Sequence, residues 1–233
     1  MGKYDNAGRL YVYLKDVGKC FCADLVKGTV TECGEGILGV FAAADESDHP
    51  ADLIKFSQDG SRLAFRQTPD EYLIVRADGR TMYSIRSESQ SILAVSFTPD
   101  GRYLLSVESD GLLRRYRAED GELLSRSSLV YSYVLDDMSE ISFRYTDSVF
   151  LALRLESYMD LISTEDWGVF AYVPQCRAYL EDFDSFICSG YSQNDLVFSC
   201  IRRYSLDSLI SRGRSLLNGW EMSDSQRMRY GLD

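Results

Sequence analysis

Short apolar runs alternate with polar turns along most of the chain, and one such phrase occurs twice. Residues 53–65 read LIKFSQDGSRLAF, and residues 94–106 read AVSFTPDGRYLLS. Phe56 corresponds to Phe97 and Leu63 to Leu104, so the phrase recurs after 41 residues. Alternating apolar residues on both sides of a turn predict two antiparallel strands. The repeat therefore predicts a chain built from similar β units.

Asp-Gly pairs mark the predicted turns. Glycine adopts a positive φ at no steric cost, and an aspartate side chain hydrogen-bonds the backbone of its own turn. Four short strands separated by turns about every 8–12 residues are typical of a propeller blade. The predicted structural turns are Asp59-Gly60, Asp100-Gly101 and Asp120-Gly121.

A period near 40 residues with four strands predicts an all-β fold, a β-propeller of four-stranded antiparallel blades. Residues 53–86 and 93–127 give two clear blades, and residues 141–173 and 178–200 give two degenerate ones. Residues 8–14 are interpreted as the third strand of a partial N-terminal blade, and residues 37–43 as a continuous apolar strand. Seven blades need roughly 280 residues, so this chain has room for about five, or for a partial ring.

The C-terminal segment has a different pattern, because its apolar residues recur at i, i+3, i+4 and i+7. This spacing predicts an amphipathic helix over residues 205–219, with Ser205 at its start and Gly219 at its end. We therefore predict a propeller over residues 1–204 and a helical tail over residues 205–233 that packs on it. The predicted docking stripe consists of Leu206, Leu209, Ile210, Leu216, Leu217 and Trp220.

Composition narrows the classes of partner and location. A net charge of −11 repels a phosphate backbone, so nucleic acid is not an expected partner. No apolar run approaches the roughly 20 residues that span a bilayer, and the N-terminus lacks the apolar region of a signal peptide. We expect a cytoplasmic protein with no membrane association.

Cysteine and histidine usage gives no sign of a metal site or a cofactor. The chain has six cysteines and a single histidine, His49. The C-x-C pair Cys20 and Cys22 lacks the C-x-x-C spacing or the histidine partner of a zinc site, and we interpret these two cysteines as pointing to opposite faces of a strand. Small buried thiols are the expected role.

Candidate reactive and partner-binding groups are few. The sequence contains no arrangement of nucleophile, base and histidine that would predict a hydrolase. Paired carboxylates such as Asp136-Asp137, and Glu181-Asp182 with Asp184, leave open a glycosidase-like enzyme on a propeller scaffold. The candidate partner contacts are Arg114, Arg115 and Trp167: the arginines bind carboxylate or phosphate groups, and the tryptophan either anchors a partner or packs between blades. Strand alternation sends the two arginines to opposite faces.

Residues 95–127 (VSFTPDGRYLLSVESDGLLRRYRAEDGELLSRS) resemble the WD-repeat propellers. The tryptophan of that family's Trp-Asp dipeptide falls near Tyr116, and no Gly-His dipeptide is present. These departures imply that the family's own structural hydrogen-bond network is missing here, which leaves a related sugar-binding or TolB-type propeller open.

Residues 204–232 (YSLDSLISRGRSLLNGWEMSDSQRMRYGL) resemble the tail that closes the WD-repeat region of large bacterial NACHT-type signalling ATPases. This resemblance implies the sensor end of such a protein or a free-standing relative. The chain has no Gly-x-x-x-x-Gly-Lys-Ser/Thr loop for nucleotide phosphates.

The expected function is a non-catalytic protein-interaction or sensor module, bacterial in type, that binds a protein partner through the loops of a rigid scaffold. Two alternatives stay open: the glycosidase-like enzyme, and a structural part whose ring is completed by another chain or a second copy. An incomplete ring exposes strand edges that favour such pairing.

Overall fold

The computed structural model describes residues 1–5, 7–46, 53–88, 91–129, 141–145, 150–155, 158–180, 185–192 and 195–202. The predicted docking stripe from Leu206 to Trp220 and the sole histidine lie outside these residues, so the helical tail stays a prediction. The chain divides into two compact units, Met1–Cys176 and Arg177–Asp233.

The first unit contains four sheets, each a four-stranded antiparallel meander in which every strand pairs with the next along the chain. The first sheet has β1 (Gly2–Tyr4), β2 (Arg9–Leu14), β3 (Lys19–Asp24) and β4 (Thr29–Glu32). The second has β5 (Ile54–Phe56), β6 (Arg62–Thr68), β7 (Glu71–Arg76) and β8 (Thr81–Arg86). The third has β9 (Ile92–Phe97), β10 (Tyr103–Glu108), β11 (Leu112–Arg117) and β12 (Leu123–Ser128), and the fourth has β13 (Ile141–Tyr145), β14 (Phe150–Leu155), β15 (Tyr158–Ser163) and β16 (Val169–Val173).

The second unit contributes most of a further antiparallel sheet, of which three strands are described. These are β17 (Cys176–Leu180), which begins at the boundary residue, β18 (Ser185–Ser192) and β19 (Asp195–Arg202). Its inner packing includes the tilted ring pair of Tyr179 and Phe186, whose centroids are 4.9 Å apart.

Consecutive meanders of this kind are propeller blades, so the all-β prediction with four-stranded antiparallel blades is confirmed, and the first unit is a partial β-propeller. Apolar side chains from facing sheets form the core between blades. Leu63, Phe65 and Val75 of the second sheet pack toward Tyr11 of the first, while Leu105 and Leu113 of the third sheet pack with Leu153 of the fourth. Each blade is therefore stabilised by its neighbour rather than by its own two faces.

Residues 37–43 are not a strand, as the sequence interpretation had them, but part of the helix α1 (Glu35–Asp45). The buried residues Ile37, Val40, Phe41 and Ala44 recur at i, i+3, i+4 and i+7, the spacing of one helix face. This face packs on Tyr11, whose ring stacks with Phe41 at 5.8 Å. The helix thus joins the first and second sheets and fills the space between them.

Residues 8–14 were interpreted as a third strand, and this too was wrong, because they form β2, the second strand of a complete sheet. The three-residue strand β1 pairs with them, Tyr4 opposite Leu10, and three residues are too few to show a periodicity. The opposite-face interpretation of Cys20 and Cys22 was also wrong, because residues two apart in a strand share a face. Both thiols contact the same core cluster between the first two sheets.

Candidate interaction surface

One end of the first unit is formed by the turns between first and second strands and between third and fourth strands. We give the name turn rim to four of these turns, residues 57–61, 98–102, 118–121 and 164–168. Contacts between neighbouring sheets hold its turns together: Nη1 of Arg62 donates to the Gly101 carbonyl oxygen at 2.9 Å, and the Tyr83 hydroxyl donates to that of Ala118 at 3.0 Å. Nη2 of Arg9 likewise donates to the Gly60 carbonyl oxygen at 2.5 Å. These arginines link blades, so their donors are already used within the fold.

Three aspartates of the rim, Asp59, Asp100 and Asp120, close their own turns, and each is followed by a glycine at positive φ: 63° at Gly60, 67° at Gly101 and 77° at Gly121. Oδ1 of Asp59 accepts hydrogen bonds from the Ser61 backbone N–H at 3.0 Å and the Ser57 hydroxyl at 2.7 Å. Oδ1 of Asp100 accepts the Arg102 N–H at 3.0 Å, and Oδ1 of Asp120 accepts the Glu122 N–H at 3.1 Å. The same side-chain-closed turn therefore recurs at these three positions of the rim.

The same hydrogen bonds explain the charge state of these carboxyls. The Ser61 backbone N–H and the Ser57 hydroxyl lower the pKa of Asp59 to about 2. The Glu122 backbone N–H, with the Arg117 guanidinium, lowers the pKa of Asp120. Burial acts to raise the pKa of Asp100, but the Thr98 hydroxyl and Arg102 together bring it below its usual value. These three aspartate carboxyls are thus held as anions.

Replacing Asp59 with alanine is expected to lower the free energy of unfolding by about 1–2 kcal/mol at neutral pH, because three hydrogen bonds to a partly exposed carboxylate are lost. The folded-state pKa lies below the unfolded value of about 3.9, so this stabilisation is present above pH 4 and disappears as the pH falls toward about 2. Urea denaturation of both proteins from pH 2 to 7 measures the difference.

The matched control is Asp16→Ala, at an exposed aspartate for which the described residues provide no hydrogen bond. It should change the unfolding free energy by less than about 0.5 kcal/mol at every pH. A loss at Asp59 that stays constant down to pH 2 would contradict the assignment of the effect to the ionised carboxyl.

Two shallow depressions flank the Asp100-Gly101 turn. One has a volume of about 400 Å³ and extends toward Asp59, Arg62 and Arg117. The other has a volume of about 270 Å³ and extends toward Tyr145 and Trp167. They share Asp100, Arg102 and Tyr103, and the Arg102 side chain between them is 73% exposed. The two depressions therefore adjoin each other, with an aromatic ring and charges of both signs between them.

The structure brings Arg115 and Trp167 together at this surface. The Arg115 guanidinium carbon lies 4.8 Å from the Tyr103 ring centroid and 5.2 Å from that of Trp167, so it lies over both rings, which themselves meet edge to face at 5.7 Å. Trp167 is only 5% exposed, and its carbonyl oxygen accepts the Ser127 hydroxyl at 2.6 Å. Trp167 thus packs between the third and fourth sheets and forms one wall of the smaller depression.

The structure removes Arg114 from the candidate partner contacts, because its guanidinium is buried on the opposite face of β11. Nη1 lies 2.8 Å from Oε2 of Glu108, and Nη2 lies 2.6 Å from Oδ2 of Asp110. Glu108 is fully buried and also accepts the Ser87 hydroxyl at 2.5 Å and the Ser106 hydroxyl at 3.1 Å.

We call this set of side chains the Glu108 network. The resemblance to WD-repeat proteins implied that the family's own hydrogen-bond network is missing at these positions. The Glu108 network includes one of them, because the Tyr116 hydroxyl lies 3.4 Å from Oε1 of Glu108. Sequence reasoning missed it. The signal was a carboxylate at the end of the otherwise apolar strand YLLSVE, where a buried charge requires a partner.

The repeated four-stranded sheets define a β-propeller class of protein, and sequence comparison refines that class. A family model described as the WD40 domain of anaphase-promoting complex subunit 4 matches residues 54–144. The matched residues contain the second and third sheets. No curated protein matches the chain.

Several solved structures are similar at low identity. BamB from Moraxella catarrhalis is 9% identical over 63% of this chain and 42% of its own, with a TM-score of 0.43. The β-propeller domain of Cps50 (Swd1) from Myceliophteria thermophila is 12% identical over 82% of this chain and 65% of its own, with a TM-score of 0.48. A chain of a Mitotic Checkpoint Complex is 11% identical over 88% of this chain and 77% of its own, with a TM-score of 0.41. The chain therefore spans less than two thirds of the length of the first and second of these.

Among the described residues, no helix has the length and hydrophobicity to cross a membrane. Over the same residues, no three or more histidine, cysteine, aspartate or glutamate side chains are grouped to hold a metal ion.

Proposed function

We propose that the protein is a non-catalytic interaction or sensor module that binds a protein partner on the turn rim, over the two depressions beside the Asp100-Gly101 turn. The observation that carries the proposal is the concave surface around Arg102 and Tyr103, where exposed charge meets an aromatic ring. Arginine and tyrosine are enriched in protein interfaces. The match to a WD40 domain over residues 54–144 adds support, because WD40 propellers generally mediate protein–protein interactions.

The rim is preorganised for binding, because its turns are fixed before a partner arrives. Asp59 and Asp100 each close their turn with hydrogen bonds, and Arg62 ties one turn to the next blade. A surface that loses little conformational freedom on association keeps more of its contact energy as affinity. Rigid turns that carry exposed side chains are therefore suited to recognition.

The glycosidase-like alternative has less support from the same carboxyls. A glycosidase acid needs a raised pKa so that it can donate a proton near neutral pH, whereas the pKa values of Asp59, Asp100 and Asp120 are lowered. The carboxylate pairs that suggested this alternative, Asp136-Asp137 and the group from Glu181 to Asp184, lie outside the described residues. We therefore favour binding over catalysis.

We propose separately that another chain or a second copy completes the propeller ring. The support for this comes from the first sheet. Tyr4 of β1 is 61% exposed and Val30 of β4 is 68% exposed, on the face that turns away from the second sheet. Exposed apolar patches of this kind mark protein interfaces. Measuring the mass of the protein in solution tests whether the ring needs a second chain. A stable monomer would exclude obligate assembly.

Cellular setting is also a proposal. We infer a cytoplasmic protein of bacterial type, the sensor part of a NACHT-type signalling ATPase or a relative of that part. Six free thiols support a reducing compartment, and the resemblance of residues 204–232 supports the NACHT-type assignment.

The test is quantitative capture of partners from native lysate with the wild-type protein and Arg102→Glu. Arg102 is exposed, and its guanidinium contacts only its sequence neighbours Asp100 and Tyr103 among the described residues, so the substitution should preserve the fold and reduce capture of the specific partner at least tenfold. The matched control is Arg80→Glu, because Arg80 is also exposed and also pairs with a turn aspartate, Asp78, away from the depressions. Equal capture by all three proteins would exclude this surface, and turnover of a substrate by the pure protein would exclude the non-catalytic function.

A further inference from the structure

Three thiols of the first sheet lie on the face that packs toward the second sheet and α1. Cys20 and Cys22 belong to β3, and Cys33 directly follows β4. Phe21 pairs with Glu32 across these antiparallel strands, so the next cross-strand neighbours are Cys20 and Cys33. The Cys33 backbone N–H donates to the Cys20 carbonyl oxygen at 2.8 Å, and the Cys33 thiol donates a hydrogen bond to the Cys20 sulfur.

We propose that Cys20 and Cys33 form a dithiol modification site that closes to an intramolecular disulfide when a low-molecular-weight disulfide oxidises it. Directly opposed residues of an antiparallel pair have Cα atoms about 4.5–5.5 Å apart, which lies within the 4.4–6.8 Å span of protein disulfides. The 2.8 Å bond from the Cys33 backbone N–H to the Cys20 carbonyl oxygen holds the two residues directly opposite each other. No backbone movement is therefore needed to bring them together.

Exposure assigns the two thiols different roles in the exchange. Cys33 is half-buried and Cys20 is 1% exposed, so the oxidant reaches Cys33 first. The Cys33 thiolate attacks the small disulfide RS–SR, forms a mixed disulfide and releases one RS⁻. The Cys20 thiolate then attacks the Cys33 sulfur, forms the Cys20–Cys33 bond and releases the second RS⁻. Two protein thiols are oxidised, one small disulfide is reduced, and the two protons lost by the protein leave on two molecules of RSH.

The surroundings favour this pair over the third thiol. The hydrogen bond between the two thiols lowers the pKa of Cys20 and raises that of Cys33, so the first attack requires that the Cys33 proton pass to the Cys20 thiolate, and the second that Cys20 release it to solvent. Cys22 instead contacts the Tyr11 hydroxyl, and burial raises the pKa of its thiol. A Cys20–Cys22 bond would have to join neighbours along one strand, whereas Cys20–Cys33 joins neighbours across two.

The disulfide would act on the connection between the first two blades. Cys33 stands two residues before the first residue of α1, and the start of α1 packs against the Asp78-Gly79 turn of the second sheet. Closing the short loop between Cys20 and Cys33 restricts the unfolded chain, so the oxidised protein should melt roughly 5–10 °C above the reduced protein.

The experiment treats the full chain with oxidised glutathione and then with dithiothreitol. We expect the loss of two hydrogens by intact mass, a Cys20–Cys33 cross-linked peptide in a non-reducing digest, the higher melting temperature, and reversal of all three by the reductant. Cys20→Ser should instead stop at a glutathione adduct on Cys33. The matched control, Cys22→Ser, should form the cross-linked peptide as the wild type does.

A glutathione adduct that persists on wild-type Cys33, or a cross-link that joins another pair of cysteines, would overturn the proposal. If Cys20→Ser does not fold, Cys33→Ser is the second variant, since its side chain is partly exposed. It should give neither an adduct at Cys20 nor the cross-link, and rapid modification of Cys20 in that variant would contradict the assigned order of attack.

Discussion

Replacing Glu108 with alanine should lower the free energy of unfolding by about 3–5 kcal/mol, the usual cost of removing one partner of a buried ion pair. The Arg114 guanidinium is 3% exposed and would lose its nearest carboxylate within the protein interior. The Ser87 and Ser106 hydroxyls would lose their acceptor at the same time. Asp110, which also pairs with Arg114, is 25% exposed and compensates only in part. Denaturant titration of wild type and variant measures the effect.

The matched control is Glu122→Ala, because Glu122 also pairs with an arginine of β11, Arg117, but both side chains are largely exposed. Exposed ion pairs contribute about 0–1 kcal/mol, so this control should stay close to wild type. The double variant Glu108→Leu with Arg114→Met should be more stable than Glu108→Ala, because it leaves no buried charge without a partner. A loss below about 1 kcal/mol in Glu108→Ala would show that water reaches the network.

The strands from β5 to β12 are well predicted because local chemistry alone specifies them. Every turn between first and second strands there has a glycine at positive φ and an aspartate that closes it, and both signals are visible in the sequence. The flanking alternation of apolar residues then sets which face is buried. The turn after β1 also has an aspartate that closes it, Asp5, and a glycine at positive φ, Gly8, but β1 itself has only three residues and is too short to show an alternation.

The helix α1 shows where local pattern is ambiguous. A short apolar run is compatible with a buried strand and with a buried helix, and the glycines of EGILGVFAAAD favour neither. The choice is made by tertiary packing: Phe41 of the helix stacks on Tyr11, which in turn stacks on Phe56 of the second sheet. No short window of sequence contains those three residues.

Of the residues at the candidate surface, sequence reasoning named Arg115 and Trp167 as partner contacts but missed Arg102 and Tyr103 between the two depressions. Arg115 and Trp167 were both candidates, yet their meeting over the Tyr103 ring depends on how the fourth sheet packs on the third. Strand alternation correctly placed Arg114 and Arg115 on opposite faces. It did not show which face is interior, because that depends on the carboxylate of Glu108 reaching the guanidinium from the neighbouring strand.

Replacing Gly36 with alanine should lower the free energy of unfolding by about 2–3 kcal/mol, equivalent to a fall in melting temperature of roughly 5–10 °C. A Cβ atom at this position of α1 would overlap the carbonyl group of Gly79. Both partners are backbone, so no side chain can rotate away, and the helix or the turn between β7 and β8 must move. Thermal unfolding followed by circular dichroism measures the shift.

Gly39→Ala is the matched control, because the same substitution on the same helix meets no atom within 4 Å. It should raise stability by up to about 1 kcal/mol, since alanine has the higher helix propensity and no contact opposes it. The two variants differ only in what the added methyl group touches, so opposite signs would attribute the loss at Gly36 to the contact between α1 and the second sheet. A similar gain in both would mean that α1 does not pack on the Asp78-Gly79 turn, and the link between the first two blades would then rest on its apolar face alone.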